Sequence, residues 1–116
     1  MTYITKDSGK RATFDSGMVR DTTKGKPRFD LISPLDIPYE EQMLYRRAML
    51  MERGCAKYGE RNWEKANSIE ELHRAKESAY RHFMQWFFGL KDEDHATAVQ
   101  FNIDEAELIE YKLKNK

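Results

Sequence analysis

All three prolines (Pro27, Pro34, Pro38) and five of the six glycines lie at or before Gly59, and only Gly89 punctuates the rest. Proline and glycine are the strongest local breakers of regular structure, so everything beyond Gly59 reads as long uninterrupted elements. The apolar spacing makes those elements helices. Leu44, Ala48, Met51, Cys55 and Tyr58 recur at intervals of four and three, one stripe of a first helix that follows Asp36 and Pro38 and ends at Gly59. Ser68-Ile69-Glu70-Glu71 has the form of a capping box and opens a second helix. Its stripe is Leu72, Ala75, Ala79, Phe83 and Trp86, with Gly89 as a left-handed terminator. Met84 and Phe88 are apolar on the opposite side, so this helix is expected to be buried on two faces. A third helix starts near Asp92 and carries Val99, Ile103, Ala106, Ile109 and Leu113. The expectation is one all-α domain: an extended arm over residues 1–36, then a three-helix bundle over residues 37–116. A two-faced middle helix leaves apolar surface uncovered, and a homo-dimer or homo-tetramer is the simplest way to cover it.

Charge narrows the function classes. Lys plus Arg and Asp plus Glu are both 20, for a formal net charge of zero, which excludes a wholly basic nucleic-acid coat. The charge is polarised, however. Residues 1–30 hold seven basic and four acidic side chains, and residues 91–116 hold four basic and seven acidic ones. Aromatic content of 12% is too high for wholesale disorder despite a mean hydropathy of −0.86. Cys55 stands alone, which leaves no internal disulfide and fits a reduced, cytoplasmic setting. The longest nearly apolar run, Met84 to Leu90, is far below the ~18 residues of a membrane span. The first ten residues lack the apolar centre of a signal peptide.

Several polar residues sit where chemistry is possible. His95 and Asn102 are seven apart and share a line with Val99, Ala106 and Ile109 at about 100° per residue, so both point toward the core. Each is either a structural hydrogen-bonding group or part of a polar pocket within the bundle. Glu70, His73, Glu77 and Arg81 form one line on the second helix, either a solvated ion-pair face or the edge of a site. His82 lies about 140° around from Glu77, so the two cannot ligate one ion without help from another element. Asp92-Glu93-Asp94 is an acidic helix cap or a carboxylate cluster for a hard cation. Lys57-Tyr58-Gly59-Glu60-Arg61-Asn62-Trp63 is either a surface turn plugged by its tryptophan or a place to stack a base with cations near its phosphates. Lys24-Gly25-Lys26-Pro27-Arg28-Phe29-Asp30 repeats that chemistry in the arm.

Taken in order, that arm, Lys57-Tyr58-Gly59, Arg61-Asn62-Trp63, Ser78-Ala79, Arg81-His82, Trp86, Gly89, Asp94-His95 and Asn102 resemble the dATP/dGTP diphosphohydrolase N-terminal domain family of phages and bacteria. That family is grouped with the MazG-like all-α nucleoside triphosphate pyrophosphohydrolases, and the likeness runs from about Gly17 to Tyr111. It implies paired helical protomers and Mg²⁺-dependent cleavage, with Mn²⁺ as substitute, of dGTP or dATP to the monophosphate and pyrophosphate. By the resemblance Glu77, Asp94, His82 and His95 are the catalytic group, with the metal on Glu77 and Asp94. Lys26, Arg28, Lys57, Arg61 and Arg81 would meet the phosphates, and Asn62, Trp63 and Asn102 complete the substrate contacts. MazG-like enzymes carry ExxE on one helix and ExxD on the next. Here Glu77 is followed by Tyr80 and Arg81, and Asp94 by Thr97. Either Glu77, Asp94, His95 and Asn102 form a sparser site, or the domain binds nucleotides without turning them over. An HD-type phosphohydrolase needs His before Asp, and Asp94-His95 is the reverse. A helical nucleotide- or nucleic-acid-binding module is the alternative from another class; by the resemblance a purine deoxynucleotide is the expected partner and nucleic acid is not.

Overall fold

A computed structural model of the protein describes residues 2–116, and the chain divides after Ile32 into two compact units. The N-terminal unit is more than an extended arm. It holds an antiparallel hairpin of β1 (Arg11–Thr13) and β2 (Val19–Asp21), registered by Ala12 opposite Arg20. The turn is closed by the Phe14 N–H donating to the Met18 carbonyl at 3.0 Å, with Gly17 at φ 91°. A left-handed backbone there suits a residue without Cβ. A 3₁₀ turn at Phe29–Ile32 follows.

The second unit holds three helices: α1 (Met43–Tyr58), α2 (Ile69–Phe87) and α3 (His95–Lys114). The first begins later than the prolines suggest. Pro38 opens only a 3₁₀ turn at Tyr39–Glu41, and Gln42 is then extended at ψ 140°. Its amide Nε2 donates to the Pro34 and Ile37 carbonyls, both at 2.6 Å, which holds that break in place. Gly59 ends α1 at φ 96°, its N–H donating to the Cys55 carbonyl at 2.8 Å. The capping box of α2 forms as its sequence dictates. Glu71 N–H donates to Ser68 Oγ at 3.2 Å, and Ser68 N–H donates to Glu71 Oε1 at 3.1 Å.

The central helix is α3, not α2. It packs against both α2 and α1, and His95, Thr97, Ala98, Asn102, Ala106 and Ile109 are buried along it. Leu72 and Ala75 of α2 meet Ala106 and Ile109, with Ala66 and Leu113 completing the cluster. Small residues bring the two backbones close; bulk is nearly absent from the core. The aromatic end of α2 is exposed instead: Met84 is 38% exposed and Phe88 is 68% exposed, so its second face is not buried within one chain. Ile103, placed on the inner stripe by spacing, also faces out. Lys112 ties the far end of α3 to the loop before α2 through the Glu64 carbonyl and, at 2.9 Å, the Ala66 carbonyl. Among the described residues, no helix is long and apolar enough to cross a membrane.

The near end of α3 is fixed by Asp94. Its side chain accepts from the Thr97 N–H at 3.3 Å as an N-cap. Both carboxylate oxygens are also gripped by Arg46 of α1, Nε to Oδ2 at 2.8 Å and Nη2 to Oδ1 at 2.6 Å. The Arg46 hydrogen bonds hold the Asp94 carboxyl below its ordinary value of 3.8. Asp94→Ala removes cap and fork together and should cost about 1–3 kcal/mol of stability in urea unfolding. A carboxyl with a depressed native pKa stabilises fully above its unfolded value and loses that stabilisation as pH falls through the native one. The gap between wild type and Asp94→Ala should therefore be constant at neutral pH and shrink below about pH 4. A gap independent of pH would leave the fork with no electrostatic role.

Candidate functional site

The loop from α1 to α2 makes one wall of a groove of about 940 Å³, within the usual size of a small-molecule site. Gly59 and Arg61 (φ 55°) turn the chain sharply enough for a third 3₁₀ turn at Asn62–Lys65 to lay Trp63 over α3. Trp63 is half-buried and meets Phe101 edge to face, with ring centroids 5.8 Å apart. The same two rings line a smaller apolar cavity of about 330 Å³ between α1 and α3, beside Leu44, Ala48 and Thr97. Trp63 thus plugs a gap and also presents a surface to the groove; the two readings of this segment coexist.

Lys57, Arg61, Asn62 and Trp63 all line the groove. Lys57 Nζ sits 5.0 Å above the Tyr58 ring, and Arg61 pairs with Glu64 at 2.9 Å. Both cations remain largely open to solvent. The other named residues belong to other elements. Lys26 and Arg28 belong to the N-terminal unit, where Lys26 stands 3.7 Å from Asp21 and Arg28 is forked on Asp30 at 2.8 and 2.9 Å. Arg81 lies on the outer face of α2 and donates to Ser78 Oγ at 3.3 Å. Asn102 is buried, and its Nδ2 donates to the Ala98 carbonyl at 2.8 Å, a hydrogen bond inside its own helix.

Glu77 is exposed on the outward face of α2, and both oxygens of Asp94 are held by Arg46. Mg²⁺ needs free carboxylate oxygens in near-octahedral array. This pair, as placed, does not offer them. Among the described residues, the side chains that do converge with metal-ligating atoms are His82, Glu93 and His95, all within 4.8 Å of one another. His82 Nδ1 faces His95 Nδ1 at 2.9 Å, and His95 Nε2 faces Asp92 Oδ1 at 2.7 Å. His95 is 2% exposed. The His95 hydrogen bond keeps Asp92 below the ordinary carboxyl range, and burial pushes the His82 imidazole down, toward its neutral form.

Sequence reading missed Arg53, Phe101 and Glu105, which line the groove with Glu93. Phe101 and Glu105 are four apart on α3, and that spacing was the available signal. Glu105 is half-buried, and its Oε2 is shielded from solvent without a hydrogen-bond partner. Burial raises its carboxyl above the ordinary value of 4.5, the Glu71 charge adds to this, and Lys112 opposes it.

A family model described as dATP/dGTP diphosphohydrolase, N-terminal, matches residues 16–115. Neither the curated proteins nor the solved structures gave a match.

An ionised carboxylate without a partner is a local destabiliser that a neutral amide of the same shape relieves. Glu105→Gln should raise stability at pH 7 by about 1 kcal/mol. A raised native pKa penalises the folded state only as pH climbs above the unfolded value of 4.5, so the gain should vanish near pH 4. Urea unfolding at the two pH values checks it; equal or lower stability at pH 7 would show that Glu105 has a partner in solution.

Proposed function

The chain belongs to the dATP/dGTP diphosphohydrolase N-terminal family, and on that premise we propose that it hydrolyses the bond between the α- and β-phosphates of a purine deoxynucleoside triphosphate. The match over residues 16–115 carries the proposal, and the groove beside Trp63 supplies a place for the reaction. The base stacks on Trp63, and Asn62 hydrogen-bonds its edge. Lys57, Arg61 and Arg53 compensate the phosphate charge, Arg61 exchanging its contact with Glu64 for a phosphate oxygen. The triphosphate enters as its Mg²⁺ or Mn²⁺ complex. Glu105, half-buried and with a raised pKa, takes the proton of the attacking water. Self-association in the cytoplasm belongs to the same proposal. Phe83, Met84, Trp86, Phe87 and Phe88 form an exposed apolar end to α2, large enough to favour a homo-dimer or tetramer.

A second reading has one observation in its favour. Glu77 and Asp94 do not present a hard-cation site, which suits a domain that binds nucleotides without turning them over. Incubation with each deoxynucleoside triphosphate and Mg²⁺, followed by separation of pyrophosphate from phosphate, distinguishes the two. Pyrophosphate release from dGTP or dATP is the expected result; saturable binding with no product supports the second reading.

Stacking of a base on an aromatic ring contributes about 1–3 kcal/mol. Trp63→Ala should accordingly raise KM for the purine substrate about 5- to 150-fold. Because Trp63 also packs on Phe101, the same variant should melt at a lower temperature, and Trp63→Phe should recover part of both losses. A lower melting temperature with unchanged KM would remove Trp63 from base recognition. Light scattering on the wild type should report more than one 13.8 kDa protomer, and Phe88→Glu should shift it toward monomer.

A further inference from the structure

Where the end of α2 faces the start of α3, two imidazoles meet nitrogen to nitrogen: His82 Nδ1 and His95 Nδ1 are 2.9 Å apart. Two lone pairs cannot face each other at that distance. One nitrogen must carry a proton, or both must share a cation. The surroundings favour readiness for a cation. His95 presents Nε2 to Asp92 Oδ1 at 2.7 Å, so its Nε2 carries the hydrogen and its Nδ1 keeps the lone pair. A carboxylate behind a histidine in this way is the usual second layer of a metal site, fixing the tautomer and the ring orientation. Glu93 brings a carboxylate oxygen within 4.8 Å of both rings from the exposed side.

We infer that His82, Glu93 and His95 form a binding site for a borderline first-row divalent ion, of which Zn²⁺ is the type case. The donor set decides the class. Two neutral imidazoles and one carboxylate suit Zn²⁺, Co²⁺ or Mn²⁺, whereas Mg²⁺ takes oxygen ligands and gives up water reluctantly. A tetrahedral ion with bonds of about 2.0–2.1 Å to nitrogen holds two ligand atoms about 3.3 Å apart, so the histidines need to separate by only about 0.4 Å. Three protein ligands leave at least one position for water. Glu93 also lines the groove beside Trp63, so that position lies at the groove's edge. The inference does not depend on nucleotide hydrolysis, and its test uses the metal alone.

Titration of the full chain with Co²⁺ and no nucleotide should give one equivalent with the intense visible bands of a low-coordinate site. Zn²⁺ should displace it, and Mg²⁺ in large excess should not. Because His95 is buried, the decisive variants are those with exposed or partly exposed side chains. His82→Ala and Glu93→Gln should each weaken Zn²⁺ binding at least tenfold with unchanged far-ultraviolet circular dichroism. Asp92→Asn should weaken it about 10- to 100-fold through the His95 tautomer. His73→Ala, on the outer face of α2, should have no effect. An octahedral Co²⁺ spectrum, displacement by Mg²⁺ as effective as by Zn²⁺, or full affinity in the folded His82→Ala and Glu93→Gln variants would overturn the site.

Discussion

All three helices meet at the N-terminus of α3. Asp94 caps that helix and holds Arg46 of α1 in a two-pronged ion pair, while the next residue, His95, faces His82 of α2. Bidentate guanidinium–carboxylate pairs combine charge with fixed geometry, so this contact sets an angle as well as a distance. A second ion pair also joins α1 to α3, Arg47 with Asp104. None of the residues of α1 is fully buried, and it meets the bundle through α3. The cationic loop that closes the groove is the direct continuation of α1. Loosening Asp94 would therefore displace Lys57 and Trp63 relative to Glu93 and Glu105.

Much of this was legible in the sequence, and the boundary between what was and what was not has a physical meaning. The capping box at Ser68, the terminators Gly59 and Gly89, and the inward placement of His95 and Asn102 depend on neighbours within one helical turn or on helical periodicity. Spacing reports those well. Which helix occupies the centre depends on which apolar stripe meets which, and a wheel does not say. α2 looked central because it is apolar on two sides, yet its large aromatics stay outside. α3, with Asp104, Glu105, Glu107 and Glu110, looks like a surface helix but carries the small residues Ala98 and Ala106 that allow close approach. Arg46 and Asp94 are 48 residues apart, so no local pattern could reveal that Asp94 was already engaged.

The candidate site divides along the same line. Lys57, Arg61, Asn62 and Trp63 are contiguous, and their convergence required only that the loop turn tightly. The carboxylates opposite them come from the far side of the fold. Glu77 and Asp94 were favoured by likeness to MazG-like motifs, and their settings differ: Glu77 faces solvent and Asp94 is held by Arg46. His82 and His95 were named through the same likeness, while Glu93, which lies near both, stood in a run of three acids that reads either as a helix cap or as a hard-cation cluster.

The shortage of bulk in the core links stability to the site. Among the described residues, only Leu72 and Ile109 of the larger aliphatics are buried, and the other buried apolar residues are alanines. A core this thin leaves little surplus, since each larger apolar side chain kept in water forgoes about 1.5–3 kcal/mol. Against that background, a half-buried carboxylate with an unpartnered oxygen at Glu105 and two imidazoles pressed together at His82 and His95 are expensive features. Both adjoin the groove region, and both become favourable once a proton, a cation or a ligand arrives to satisfy them. Unsatisfied polar groups thus gather at α3, while the aromatics at the end of α2 stay exposed.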